Sequence, residues 1–195
     1  MAKDLTGKRV AIVVADGFEQ VEMTSPREAL EEAGAETYLV SIEERRVKGW
    51  KHTVWGDTFD VDVPIDEADP EDYDALVLPG GVMNPDKLRR DERVLEFVRA
   101  FFEEGKPVAS ICHGPWTLID AGVAEGRRMT SYPSIRKDLE NAGVEWTDQE
   151  VVVDNGLVTS RKPEDLPAFN AKMIEEIAEG RHAAVRSSAG AGRAL

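Results

Sequence analysis

Pro107-Val108-Ala109-Ser110-Ile111-Cys112-His113-Gly114-Pro115 reads as a short buried strand that runs straight into a helix. A compact apolar run of this kind suits a strand covered on both faces, and a proline at the last position suits the first turn of a helix. Cys112 then falls at the carboxyl end of the strand and at the amino end of the helix. Open α/β sheets place ligands at the first of these positions, and the helix dipole at the second is expected to lower a thiol's pKa. Gly114 leaves room beside the sulfur, so the turn resembles the strained elbow that presents a hydrolase nucleophile.

The same strand and helix grammar extends outward in both directions. Val10 to Val14 and Glu36 to Val40 read as strands flanking a helix from about Pro26 to Ala33, with Ser25, Pro26 and Glu28 as its start signal. Ala75 to Leu78 is another buried strand, and Glu92 to Glu104 carries a helical stripe of Val94, Leu95, Val98 and Phe101 or Phe102. Further helices are expected at Pro115 to Ala121, Ile135 to Ala142 and Pro163 to Glu179, with strands at Val151 to Val153 and Leu157 to Ser160 around Asp154-Asn155-Gly156. Alternation on both sides of Gly56-Asp57 within Val47 to Val63 predicts a β-hairpin inserted into this pattern. The fold class is α/β, a mostly parallel sheet with helices on both faces, because parallel strands need crossover connections. One domain over 1–180 is expected, with 181–195, rich in Ala, Gly, Ser and Arg, as a flexible C-terminal tail.

Composition narrows the function. The 195 residues carry 38 acidic and 24 basic side chains, a net charge of −14, which repels phosphate backbones and anionic lipid heads. Neither nucleic acid nor a membrane is an expected partner. A start of MAKDLTGKR lacks a signal peptide's apolar core, which points to the cytoplasm. A single cysteine excludes an internal disulfide, and no Cys/His spacing fits zinc, so no metal or other cofactor is expected.

Three strand ends supply the candidate chemistry. Cys112 is the nucleophile and His113 its natural base partner, whereas His52 and His182 fall in the hairpin and the tail. Leu76 to Leu78 ends in Pro79-Gly80-Gly81, a glycine pair able to turn amides toward a developing oxyanion. Asp16 to Glu22 follows the first strand and places Glu19 and Glu22 at the same sheet edge.

At these residues the chain resembles the PfpI family of intracellular cysteine proteases, within the superfamily that includes the parkinsonism-associated deglycase and the class I glutamine amidotransferase domains. The resemblance runs from about Arg9 to Ala178 and is carried by DGFEQVE (16 to 22), LVLPGG (76 to 81), GKPVASICHGPWTLIDAG (105 to 122), TSYPSIRKDLENAGVEW (130 to 146) and VVVDNGLVTSRKPEDL (151 to 166). It implies a flavodoxin-like three-layer sandwich, with Cys112 as nucleophile, His113 as base and Glu22 as the carboxylate hydrogen-bonded to the sulfur. By the same resemblance Glu19 and Tyr132 line the pocket, Gly80 and Gly81 form its glycine pair, and the Gly81 and His113 amides form the oxyanion hole. The family's third triad member is a glutamate from a neighbouring subunit, and Asp86 stands at that point here, one residue further along the loop. Lys162 replaces the histidine of the amidotransferases' His-Pro-Glu segment, which speaks against glutamine hydrolysis. The implied activity is a stress-response cysteine hydrolase needing no cofactor and acting on small aldehydes or on peptides. A homodimer or hexamer is the implied assembly. Redox sensing through Cys112 oxidation in a non-enzymatic stress chaperone is the alternative.

Overall fold

The computed structural model describes residues 3–183. The chain opens with β1 (Arg9–Val14), β2 (Phe18–Glu19), α1 (Gln20–Glu32) and β3 (Glu36–Ser41), then forms β4 (Arg46–Lys51), β5 (Val54–Asp60) and β6 (Val63–Pro64). The middle third holds β7 (Ala75–Leu78), α2 (Met83–Leu88), α3 (Glu92–Glu103), β8 (Val108–Ile111) and α4 (Pro115–Asp120). Last come β9 (Arg128–Met129), α5 (Arg136–Asn141), β10 (Glu145–Trp146), β11 (Val151–Asp154), β12 (Leu157–Ser160) and α6 (Leu166–Glu179).

Seven strands form the central sheet in the order β11-β12-β8-β7-β1-β3-β6, parallel except for the β11–β12 pair. Alternation along β1 divides the core. Val10, Ile12 and Val14 pack with Leu30 and Phe169 toward α1 and α6, whereas Ala11 and Val13 face Leu88, Val98 and Leu118 of α2, α3 and α4. Both faces are therefore dry, which is why these strands read as nearly unbroken apolar runs. Strand order reverses between β1 and β7, because the chain leaves β1 toward β3 and returns to the other side at β7. The loops after β1, β7 and β8 consequently meet at one carboxyl edge, the usual ligand position of open α/β sheets.

Two expectations need correction. The helix expected to begin at Pro26 begins at Gln20, and Pro26 is buried inside it. A proline there removes one N–H and leaves the helix otherwise continuous, while Ser25 Oγ accepts a 2.9 Å hydrogen bond from Asn170 Nδ2 of α6 instead of capping. The hairpin exists as β4 and β5, but it turns at His52-Thr53, where His52 has φ of 56°, not at Gly56-Asp57. Gly56 lies within β5 because the Gln20 side chain crosses it: Gln20 Nε2 donates to Asp57 Oδ2 at 2.6 Å, and Asp57 N–H donates to Gln20 Oε1 at 2.7 Å. A glycine that makes room for a side chain looks, in sequence, like a turn.

The hairpin aromatics pack on their own sheet, Trp50 edge-on to Trp55 at 5.3 Å and Phe59 against Phe18 at 5.8 Å. Of the expected tail, residues 184–195 lie outside the described part. Its first residues are pinned: His182 N–H donates to the Gly105 carbonyl at 2.7 Å and Asn155 Nδ2 to the Ala183 carbonyl at 3.0 Å. No helix among the described residues is long and apolar enough to cross a membrane.

Candidate active site

Cys112 sits at the expected elbow with φ of 63°, in the left-handed region that L-residues avoid. Two backbone hydrogen bonds hold it there, its N–H donating to the Ser160 carbonyl at 3.0 Å and its carbonyl accepting from Tyr132 N–H at 2.9 Å. The surrounding loops thus over-determine a strained residue, as catalytic elbows require. Its sulfur is 3.2 Å from His113 Nδ1, and the N–H groups of Gly81 and His113 are directed at it.

Glu22, in the first turn of α1, is completely buried behind the sulfur. Oε2 accepts the Gly80 N–H at 2.9 Å, Oε1 has no hydrogen-bond partner, and the carboxyl faces Cys112. Burial, reinforced by the Glu19 charge, pushes Glu22 up to about 8, so it is largely protonated at neutral pH. Glu19 is the outer carboxylate, also raised by burial, and Oε2 accepts the His52 N–H at 3.4 Å.

The expected depression of the thiol pKa is not found. Burial and the nearby Glu22 carboxylate push Cys112 up, and α4, with only six residues, offers little dipole in return. The two groups titrate as a pair, so a protonated Glu22 both removes the opposing charge and can donate to the sulfur. His113 is pushed down to about 4 by burial, so it is neutral at pH 7 and keeps one ring nitrogen unprotonated.

Ser134, Trp116 and Asn84 were not singled out in the sequence, whereas Tyr132 was expected at the pocket from the motif resemblance. Ser134 Oγ lies 3.1 Å from His113 Nε2, so the ring can take the thiol proton at Nδ1 while Nε2–H donates to the serine. Tyr132, 39% exposed, stacks on that ring at 4.8 Å, and Trp116 meets its edge at 5.2 Å. Buried Asn84 fixes the glycine loop, Nδ2 donating to the Pro79 and Gly80 carbonyls at 2.8 and 3.1 Å while Oδ1 accepts Ala15 N–H at 2.7 Å. A Tyr-Pro-Ser turn and an Asn five residues past Pro79 carry no pattern that announces these contacts. The structure brings together Cys112, His113, Glu22, Glu19, Gly80, Gly81 and Tyr132. Asp86 is different: it lies exposed on α2 and makes no hydrogen bond or ion pair with Cys112 or His113 of its own chain.

These protonation states predict a pH-dependent stability. Below the ordinary carboxylate value of 4.5 the Glu22 contribution is fully present, and it is lost as pH rises through about 8, because the native state keeps a proton the unfolded chain has released. The His113 contribution runs the other way, growing as pH rises from about 4 to the ordinary value of 6.5. The two oppose each other up to about pH 6.5, and from there to about pH 8 the unfolding free energy falls by about 1.4 kcal/mol per pH unit. Urea melts across that window should show the decline in the wild type and its absence in Glu22→Gln. An equal decline in both proteins would assign it to another group.

A cysteine at a strand-to-helix elbow on a flavodoxin-like sheet, backed by a buried glutamate and faced by amide donors, defines the class I glutamine amidotransferase-like architecture. Within that class the chain belongs to the DJ-1/PfpI family, whose profile matches residues 8–176. It is 48% identical over 167 residues to Deglycase PH1704 of Pyrococcus horikoshii, covering 86% of this chain and 98% of that protein. It is 47% identical over 167 residues to YraA of Bacillus subtilis, named as a candidate cysteine protease, covering 86% of this chain and 96% of that protein. Among solved structures, Drosophila melanogaster DJ-1beta superposes with a TM-score of 0.79 at 30% identity, covering 88% of this chain and 90% of that one.

Proposed function

We propose that the protein is a stress-response cysteine hydrolase acting on small reactive carbonyls, with Cys112 as nucleophile, His113 as proton acceptor and Glu22 as proton donor to the sulfur. The observation that carries this reading is the 3.2 Å approach of His113 Nδ1 to a sulfur that also faces the buried Glu22 carboxyl and two backbone N–H groups. Cys112 is only 7% exposed, which favours a compact aldehyde over an extended peptide.

With methylglyoxal as substrate, the thiol proton passes to His113 Nδ1 and the sulfur adds to the aldehyde carbon, giving a hemithioacetal whose oxygen the Gly81 and His113 amides receive. Moving the hydrogen of that carbon to the neighbouring ketone carbon through an enediol turns the adduct into a thioester of lactate. Water then cleaves the C–S bond and restores the thiol. The net reaction is methylglyoxal plus water to lactate, so no external oxidant, reductant or cofactor enters. Glu19 and Tyr132 frame the entrance, and Ser134 keeps the imidazole in register.

The test follows lactate formation from methylglyoxal without added cofactor, beside a fluorogenic peptide, before and after alkylation of the thiol. Lactate that disappears on alkylation, with no peptide cleavage, supports the proposal, and cleavage of the peptide alone overturns it in favour of a peptidase. In the peptidase reading Asp86 of a second subunit in a homodimer or hexamer orients His113. Asp86→Asn would then lower peptide hydrolysis at least tenfold, whereas lactate formation, supported within one chain by Ser134, is expected to change less than twofold. Parallel rates of the two activities check this.

A further inference from the structure

Far from the catalytic edge, the chain leaving α6 folds back on that helix and brings His182 against Glu176 and Glu179, their ligand atoms all within 4.8 Å of one another. The approach is built rather than incidental. The His182 backbone is tied to Gly105 and the Ala183 carbonyl to Asn155, as described above. Its ring packs against the Asn155-Gly156 turn, where a side-chain carbon on Gly156 would come within 2.6 Å of Cδ2.

One polar atom at this point is buried without a hydrogen bond. His182 Nε2 is shut off from solvent with no hydrogen-bond partner, and the carboxylate of the nine-tenths buried Glu176 side chain faces it at 3.3 Å. The spacing suits an ion pair but the direction does not suit a hydrogen bond, so a proton on Nε2 would satisfy neither group well. A cation between them would satisfy both. Glu179, three residues from Glu176 on the same helix, offers a third donor, held only by an exposed 3.5 Å pair with Lys3. The site also lies in the last turn of a 14-residue helix, whose dipole favours positive charge there.

We propose that Glu176, Glu179 and His182 form a binding site for a first-row divalent cation, zinc being the probe, that ties the segment after α6 to the helix. One imidazole nitrogen and two carboxylate oxygens are a ligand set that zinc accepts, with water completing the coordination. The site is independent of the chemistry proposed for Cys112.

Calorimetric titration of zinc into chelator-stripped protein tests it, using Cys112→Ser as the host so that the thiol takes no metal. One zinc per chain is expected, with binding weakened at least tenfold by His182→Ala or Glu176→Gln in that host, and with a zinc-dependent rise in Tm in the host that His182→Ala lacks. His182 follows the last helix, so its alanine variant carries the test even if Glu176→Gln folds poorly. The proposal is overturned if the host shows no saturable binding, or if His182→Ala weakens binding less than tenfold.

Discussion

Cys112→Ala is expected to reduce turnover by about three orders of magnitude or more, because no other thiol or hydroxyl of the site stands where His113 Nδ1 can take its proton. The fold should survive, since alanine retains the Cβ and the backbone hydrogen bonds to Ser160 and Tyr132 do not involve the sulfur. Cys112→Gly separates the two costs carried by this residue. It is equally inactive, yet the left-handed φ of 63° costs glycine nothing, so it should be about 1 kcal/mol more stable than the alanine variant. Steady-state rates and denaturant midpoints of the two variants check both statements. Wild-type rates in Cys112→Ala would overturn the assignment of the nucleophile, and an alanine variant at least as stable as the glycine one would show that the elbow is not strained.

Gly80→Ala should damage the molecule most. A Cβ at this position would lie 2.5 Å from Glu22 Oε2, 2.6 Å from Cys112 Cβ and 2.7 Å from the Ile111 carbonyl oxygen. Two of these obstacles belong to the β8 elbow and the third to a buried carboxyl, so none can swing aside as a flexible chain end would. Relief requires β7 and β8 to part at their carboxyl ends, which takes the Gly81 N–H away from the sulfur. A loss of about 3 kcal/mol in stability is expected, together with the loss of activity even at temperatures where the variant remains folded. Gly126→Ala is the control: its φ of 75° is left-handed, as that of Gly80 is not, but nothing lies within 4 Å of the added carbon, so only about 1 kcal/mol of backbone strain should be lost and turnover should be kept. Equal losses in the two variants would mean that steric closure around Cys112 costs no more than the strain of one left-handed turn residue, and would overturn this reading of the edge.

The α/β alternation was legible because each element depends on a local pattern. Strands dry on both faces show as apolar runs, helices as a stripe, and the elbow as a Cys between an apolar strand and a Gly-Pro. Those patterns suffice to place Cys112, Gly80 and Glu22 after three strands, and the strand order then brings the three strand ends side by side. Motif resemblance added the expected roles of Glu19 and Tyr132.

What the tertiary structure alone decided depends on distance through space and on burial, neither of which any window of sequence contains. Ser134, 21 residues from His113, supports its ring because the chain after β9 turns back over α4, and Asn84 holds the glycine loop because α2 places its amide beneath it. Gly56 served side-chain passage rather than turning, since Gln20 reaches it from another element. The protonation states, too, were beyond local reading: burial keeps Glu22 protonated and His113 neutral, and it raises the thiol that the helix terminus was expected to lower. Residue types and spacing identify which groups can do chemistry, whereas the free energy of taking each group out of water sets the charge it carries, and only the folded chain determines that cost.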